Sequence, residues 1–103
     1  MSRRFVLLPA LLLTTAPVAP TVVGQKGKAF STAEVTVKPG EKLVFKNDDD
    51  VAHNVFSSAP GFAFNVVKMA PGTEHEVSFT REGSFDVRCA FHPKMKLKIT
   101  VAK

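Results

Sequence analysis

From residue 34 onward, apolar and polar positions change places at almost every second residue. Val35 and Val37 alternate with Glu34, Thr36 and Lys38, and Leu43 and Phe45 read inward between Lys42, Val44 and Lys46. The same rhythm returns in His75, Val77 and Phe79, in Phe85, Val87 and Cys89, and in Leu97, Ile99 and Val101. Side chains of an extended chain point alternately to opposite faces, so period two means one buried face and one wet face. Three Pro-Gly pairs punctuate these runs, at Pro39-Gly40, Pro60-Gly61 and Pro71-Gly72. Proline presets φ at the second position of a turn and glycine accepts the positive φ of the third, so each pair predicts a type II turn. Beyond the N-terminus no segment shows a helical period. Short strands at regular spacing, separated by turn signals, predict an all-β sandwich. Residues 58–70 fit the rhythm least and read as a loop with a short helical turn.

The N-terminus is built differently. Arg3 and Arg4 precede a short apolar run, Phe5 to Leu13, and small residues Ala16 and Ala19 follow. That order is the positive, apolar and small-residue pattern of a secretory leader. The run is shorter than the roughly 20 apolar residues that cross a bilayer. The chain therefore divides into an export leader at residues 1–19, with cleavage as late as residue 24, and one domain at residues 20–103. Its address is periplasmic or otherwise exported, with no membrane span after leader removal. A 103-residue chain holds one small domain, near the size where a bound metal adds usefully to folding free energy. The formal net charge of +5 is spread out, and Trp and Tyr are absent. No zinc-finger spacing or aromatic-basic motif accompanies that charge, so nucleic acid is not the expected partner.

Chemistry concentrates around the one cysteine, Cys89. It has no partner for an internal disulfide, and an exported free thiol is open to oxidation. The alternation puts it on the inward face with Phe85 and Val87. A buried thiolate requires a cation beside it, and metal ligation provides one. The segment Cys89-Ala90-Phe91-His92-Pro93-Lys94-Met95 reads Cys-x-x-His-x-x-Met between two strands, and His53 lies upstream in Asp50-Val51-Ala52-His53-Asn54-Val55. Taken singly, Cys89 is a buried thiol, His92 a surface residue and Met95 a core filler. Together, a thiolate, two imidazoles and a thioether form a soft donor set that suits copper in both oxidation states. One Cys and a Met make a poor closed zinc site. His75 has no accompanying motif and reads as an exposed strand residue, and Met69 reads as packing. Asp48, Asp49 and Asp50 lack the spaced ligands of a calcium loop and read as a solvated turn. A Cys89–His92 nucleophile–base pair is the enzymatic alternative, and the inward thiol and nearby Met argue against it.

The ligand segment resembles the copper loop of the cupredoxins, the small blue copper proteins. Its His92-to-Met95 gap is most similar to the amicyanin branch of these plastocyanin-like proteins. The runs Asp50-x-x-His53-Asn54-Val55 and Gly83-x-Phe85-x-x-x-Cys89 resemble the family's other ligand strands. The resemblance implies a Greek-key β-sandwich and a protein, not an enzyme, that carries single electrons on one copper ion cycling between Cu(I) and Cu(II). It implies His53, Cys89 and His92 as equatorial ligands and Met95 as the axial one. Asn54 would donate its backbone N–H to the thiolate and tie the two ligand loops together, the kind of outer contact that tunes a metal. Phe91 stands where the family often has proline. Electrons would pass through the exposed edge of His92, with Phe91, Pro93 and Ala90 as its apolar surround. Lys94, with Lys96 and Lys98, would steer an acidic partner. The partners implied are a c-type cytochrome or a periplasmic oxidoreductase, met transiently by a monomer. Copper storage or delivery without electron shuttling is the alternative use of the same ligands.

Overall fold

Nine strands make up the described part of the chain, which is residues 19–103 of the computed structural model. The leader expected at residues 1–19 lies, apart from Ala19, outside the described residues. In chain order the strands are β1 (Thr21–Lys26), β2 (Ala29–Phe30), β3 (Glu34–Val37), β4 (Leu43–Asn47), β5 (His53–Ser57), β6 (Phe64–Met69), β7 (Glu74–Val77), β8 (Gly83–Arg88) and β9 (Lys96–Val101). One sheet has the order β2-β1-β4-β7 and the other β3-β9-β8-β5-β6. β1 runs parallel to β4 and β3 parallel to β9, while the other pairs are antiparallel. The fold is the all-β sandwich that the alternation predicts. Among the described residues no helix is long and apolar enough to cross a membrane.

The inward positions of both sheets form one apolar core. Val23, Leu43 and Phe45 come from one sheet, and Val37, Val55, Val87, Leu97, Ile99 and Val101 from the other. Each is 1 % exposed or less, so truncating any of them leaves a cavity in addition to losing transfer free energy. Phenylalanines close the end of the sandwich at which β8 begins. Phe62 stacks on Phe85 with ring centroids 4.4 Å apart, and Phe79 meets Phe85 edge-on at 4.9 Å. Gly83 stands against this cluster, and a Cβ there would lie 2.9 Å from the Phe62 ring.

The three Pro-Gly turns form as expected. Gly40, Gly61 and Gly72 have φ between 81° and 83°. Each turn is closed by a hydrogen bond from the residue after glycine to the residue before proline: Glu41 to Lys38, Phe62 to Ala59 and Thr73 to Ala70.

Two local readings need correction. Residues 58–70 hold a strand, β6, rather than a loop with a helical turn. Its pairing with β5 shifts register, because His53 faces Met69 while Val55 faces Val66. Two residues of β5 thus match three of β6, a bulge that breaks the period-two pattern. Val44 is buried at 9 % although it points away from the core; β4 lies between β1 and β7, whose Val22 and Glu76 flank it. β1 and β2 escape the sequence pattern because β1 mixes its faces, with Val23 and Gln25 both inward. Gln25 faces inward at 0 % exposure, while Val22 faces out at 55 %.

Strand order also brings the candidate residues together. β9, β8 and β5 are neighbours in the five-stranded sheet. The antiparallel pairing places the start of β5, the end of β8 and the start of β9 at one end of the sandwich.

Candidate metal centre

His53 opens β5, Cys89 follows the last residue of β8, and the loop to β9 carries His92 and Met95. The loop is held tight by two backbone bonds, His92 N–H to the Cys89 carbonyl (3.3 Å) and Met95 N–H to the His92 carbonyl (2.9 Å). Three residues that are far apart or loosely spaced in sequence thereby converge. Sγ of Cys89 lies 3.8 Å from Nδ1 of His53 and 3.8 Å from Nδ1 of His92. The three donor atoms all lie within 4.8 Å of one another. Donors bound at about 2.0 Å (nitrogen) and about 2.3 Å (sulfur) to one ion in a trigonal plane stand roughly 3.8 Å apart. The donor spacing therefore fits a single metal ion. His53 and Cys89 are buried, and His92 is part-exposed.

Met95 continues the inward alternation of β9 and is 1 % exposed. Neither Met95 nor Cys89 belongs to the contiguous apolar core. Two buried sulfur side chains therefore sit at the end of the sandwich rather than inside its core. A thiol, two imidazoles and a thioether are the soft mixed donors that copper accepts in both of its oxidation states.

Asn54 occupies the place expected of it. Its backbone N–H points at Cys89 Sγ (3.3 Å). Its side-chain carbonyl accepts the Ala90 N–H (3.0 Å), and its amide donates to Asn65 Oδ1 (2.7 Å) and the Val66 carbonyl (2.8 Å). One buried side chain so ties the ligand loop to β5 and β6.

The aspartate run is not uniformly solvated. Asp48 and Asp50 are exposed, but the Asp49 side chain is only 12 % exposed and accepts a hydrogen bond from His53 Nε2 at 3.0 Å. The same oxygen accepts the Lys28 N–H (3.2 Å), and the other carboxylate oxygen accepts the Asp50 N–H (3.0 Å). His53 first, and the Lys28 amide second, hold the Asp49 carboxyl down at about 2, so it is ionised at neutral pH. The buried Asn47 shapes this loop. It accepts the Asp49 N–H and donates to the carbonyls of Val51 and Met69.

The part-exposed His92 opens onto a shallow apolar depression lined by Lys28, Phe91, His92, Pro93 and Lys94. Phe91 is 50 % exposed, an unusual outlay for the largest apolar side chain of the loop. Of the three lysines expected to steer a partner, Lys94 borders this depression. Lys96 and Lys98 line a separate hollow that also contains Glu34 and Asp86. Lys28 takes their place beside His92, a position sequence spacing gives no sign of. His75 is exposed on β7, and Met69 packs in the apolar core, as read.

The family model described as copper binding proteins of the plastocyanin/azurin family matches residues 18–102. Amicyanin-alpha of Methylorubrum extorquens is 34 % identical over 89 residues, which is 84 % of this chain and 75 % of that protein. The chloroplastic plastocyanin of Silene latifolia subsp. alba is 30 % identical over 95 residues, 80 % of this chain and 58 % of that protein. Among solved structures, the amicyanin of Paracoccus versutus superposes with a TM-score of 0.76 at 31 % identity, covering 84 % of this chain and 85 % of that one.

Proposed function

Because the chain belongs to the plastocyanin/azurin family of copper-binding proteins, whose members are electron carriers, we propose that it shuttles single electrons between redox partners outside the cytoplasm. Copper is the cofactor, and His53, Cys89, His92 and Met95 are its ligands in this reading. The observation that carries it is the approach of three donors, one sulfur and two Nδ1 nitrogens, to within 4.8 Å of one another at the rim of a closed β-sandwich. When bound, copper supplies a one-electron couple between Cu(I) and Cu(II).

The chain's own residues supply everything else. Neighbouring strands fix His53, Cys89 and His92, and Asn54 locks the loop to β5, so the donors shift little when the charge at the centre changes. The Asn54 N–H faces the Cys89 sulfur and stabilises its thiolate form. His92 bridges the buried centre and the surface. Phe91 and Pro93 border it with apolar surface that sheds water on contact. Lys28 and Lys94 place two positive charges at that border, which favours an acidic partner and speeds encounter. A c-type cytochrome or a periplasmic oxidoreductase meets those requirements. The working unit is a monomer, because a small apolar rim suits brief contacts.

Voltammetry of the copper-loaded protein, starting after the leader, tests the reading. A reversible one-electron wave with rapid exchange is the expected result. Copper that stays bound but cycles slowly or irreversibly would point instead to storage or delivery.

A further inference from the structure

We propose that the cleft between the two sheets, at the end of the sandwich opposite the metal centre, binds a small apolar carboxylate, with Arg81 holding the charged group. The proposal goes beyond the electron-carrier reading and does not depend on it.

The cleft opens where two edge strands part. β6 ends the five-stranded sheet and β7 ends the four-stranded one. Residues 61–64, leading into β6, form one wall, and residues 77–81, leading out of β7, form the other. The space between them is about 370 Å³, within the roughly 300–1,000 Å³ of sites that hold small molecules. Its apolar lining is Phe62, Phe64, Phe79 and Val77. Ring centroids lie 5.8 Å apart for Phe64 and Phe79, and 6.2 Å apart for Phe62 and Phe79. Phe64 and Phe79 are only half-buried. These rings keep apolar surface in water, and a ligand lying in the cleft would cover it.

Arg81 is the only ionisable residue of the lining. Packing, rather than an ion pair, sets its place. The guanidinium carbon lies 5.9 Å from the centre of the Phe62 ring, within the range of a cation–π contact. It also lies against the Pro60-Gly61 turn, so a Cβ on Gly61 would collide with it. Among the described residues no carboxylate comes within 4 Å of it, and the adjacent Glu82 turns instead to Lys103 at 3.8 Å. A placed planar fork with no acid to answer it matches the two oxygens of a carboxylate. A phosphate would carry more charge than this single cation balances, and an amine would meet like charge. An aromatic ring on a short acid chain satisfies both halves of the cleft.

This site is remote from the copper ligands. β8 begins beside Phe62 at Gly83 and ends just before Cys89. Six residues of strand at about 3.3 Å each put roughly 20 Å between them.

Amide NMR of the Cu(I)-loaded protein, starting after the leader and titrated with 3-phenylpropionate and separately with its neutral amide, tests the proposal. Expected are saturable shifts at residues 61–64 and 77–81, with the neutral amide bound at least tenfold more weakly. Arg81→Gln should bind the acid at least tenfold more weakly than the parent. Arg81→Lys, which keeps the charge without the fork, should fall between them. The absence of saturable shifts, or equal binding of acid and amide, overturns the proposal. Shifts centred on Phe91 and His92 overturn it too, because Lys28 and Lys94 offer a similar mix of charge and apolar surface there. The acid–amide comparison uses the parent protein, so it decides the matter even if Arg81→Gln does not fold. A parent protein that takes up no copper refutes the ligand set proposed above, and the same titration of the metal-free protein then decides this site.

Discussion

Asn54 shows how much one side chain can govern at the edge of this site. Its amide and carbonyl join β5, β6 and the ligand loop through three short bonds, all within a residue that is 4 % exposed. Asn54→Ala strands the Ala90 N–H and the Val66 carbonyl. The expected cost is about 2–4 kcal/mol in denaturant unfolding of the metal-free protein. The sulfur keeps its contact in that variant, because the donor is the backbone N–H of residue 54. Met95→Leu is expected to keep a thiolate–copper colour while raising the reduction potential, since a buried thioether is exchanged for a group with no donor electrons; spectroscopy and voltammetry on one sample check both. At this scale the sequence pointed to the cysteine and the two histidines that the fold brings together, because two of them share one short loop and the third has a recognisable neighbour in Asn54. It could not announce Asp49. Three aspartates in a row are chemically alike, and only the loop bent by Asn47 turns the middle one under His53.

β6 carries the sharpest test among the elements. The bulge opposite β5 places Met69 in the core at 2 % exposure and leaves Val67 outside at 70 %. Met69→Ala should therefore cost about 2–4 kcal/mol, whereas Val67→Ala should stay within about 0.5 kcal/mol. Equal effects in an unfolding titration would contradict the bulged register. Alternation made β3, β4, β7, β8 and β9 legible, while β5, seen only through its family resemblance, and β6 did not show it. A bulge inserts one residue, so the pattern on either side of it falls out of phase. β1 was hidden for a different reason. The apolar Val22 points outward and the polar Gln25 inward, so a strand fixed by its pairing with β4 carries no readable face of its own. The β1–β2 turn matters beyond its length, because it brings Lys28 to the border of His92 and its amide to Asp49.

Over the whole molecule, the aromatic cluster closes one end of the sandwich and the donor set occupies the other. Metal binding at a site that the unfolded chain lacks adds directly to stability. With copper in large excess over its dissociation constant, the unfolding midpoint should rise by about 10 °C or more, measured by calorimetry with and without a chelator. The positive net charge, +5 over the full chain and 5 − 2 = +3 without Arg3 and Arg4 of the expected leader, acts at longer range. Electron transfer with an acidic partner should slow as salt is raised. Lys28→Glu combined with Lys94→Glu should slow it further and reverse the salt dependence, while the spectrum of the copper centre stays as it was. Stopped-flow mixing at several ionic strengths reads both effects.

The most direct test of the account is the visible spectrum of the protein as Cu(II) is titrated into it. One equivalent should produce an intense thiolate-to-copper charge-transfer band that saturates at that ratio and is missing in Cys89→Ala. A pale, weak spectrum, or a strong band that survives loss of the sulfur at residue 89, would contradict it.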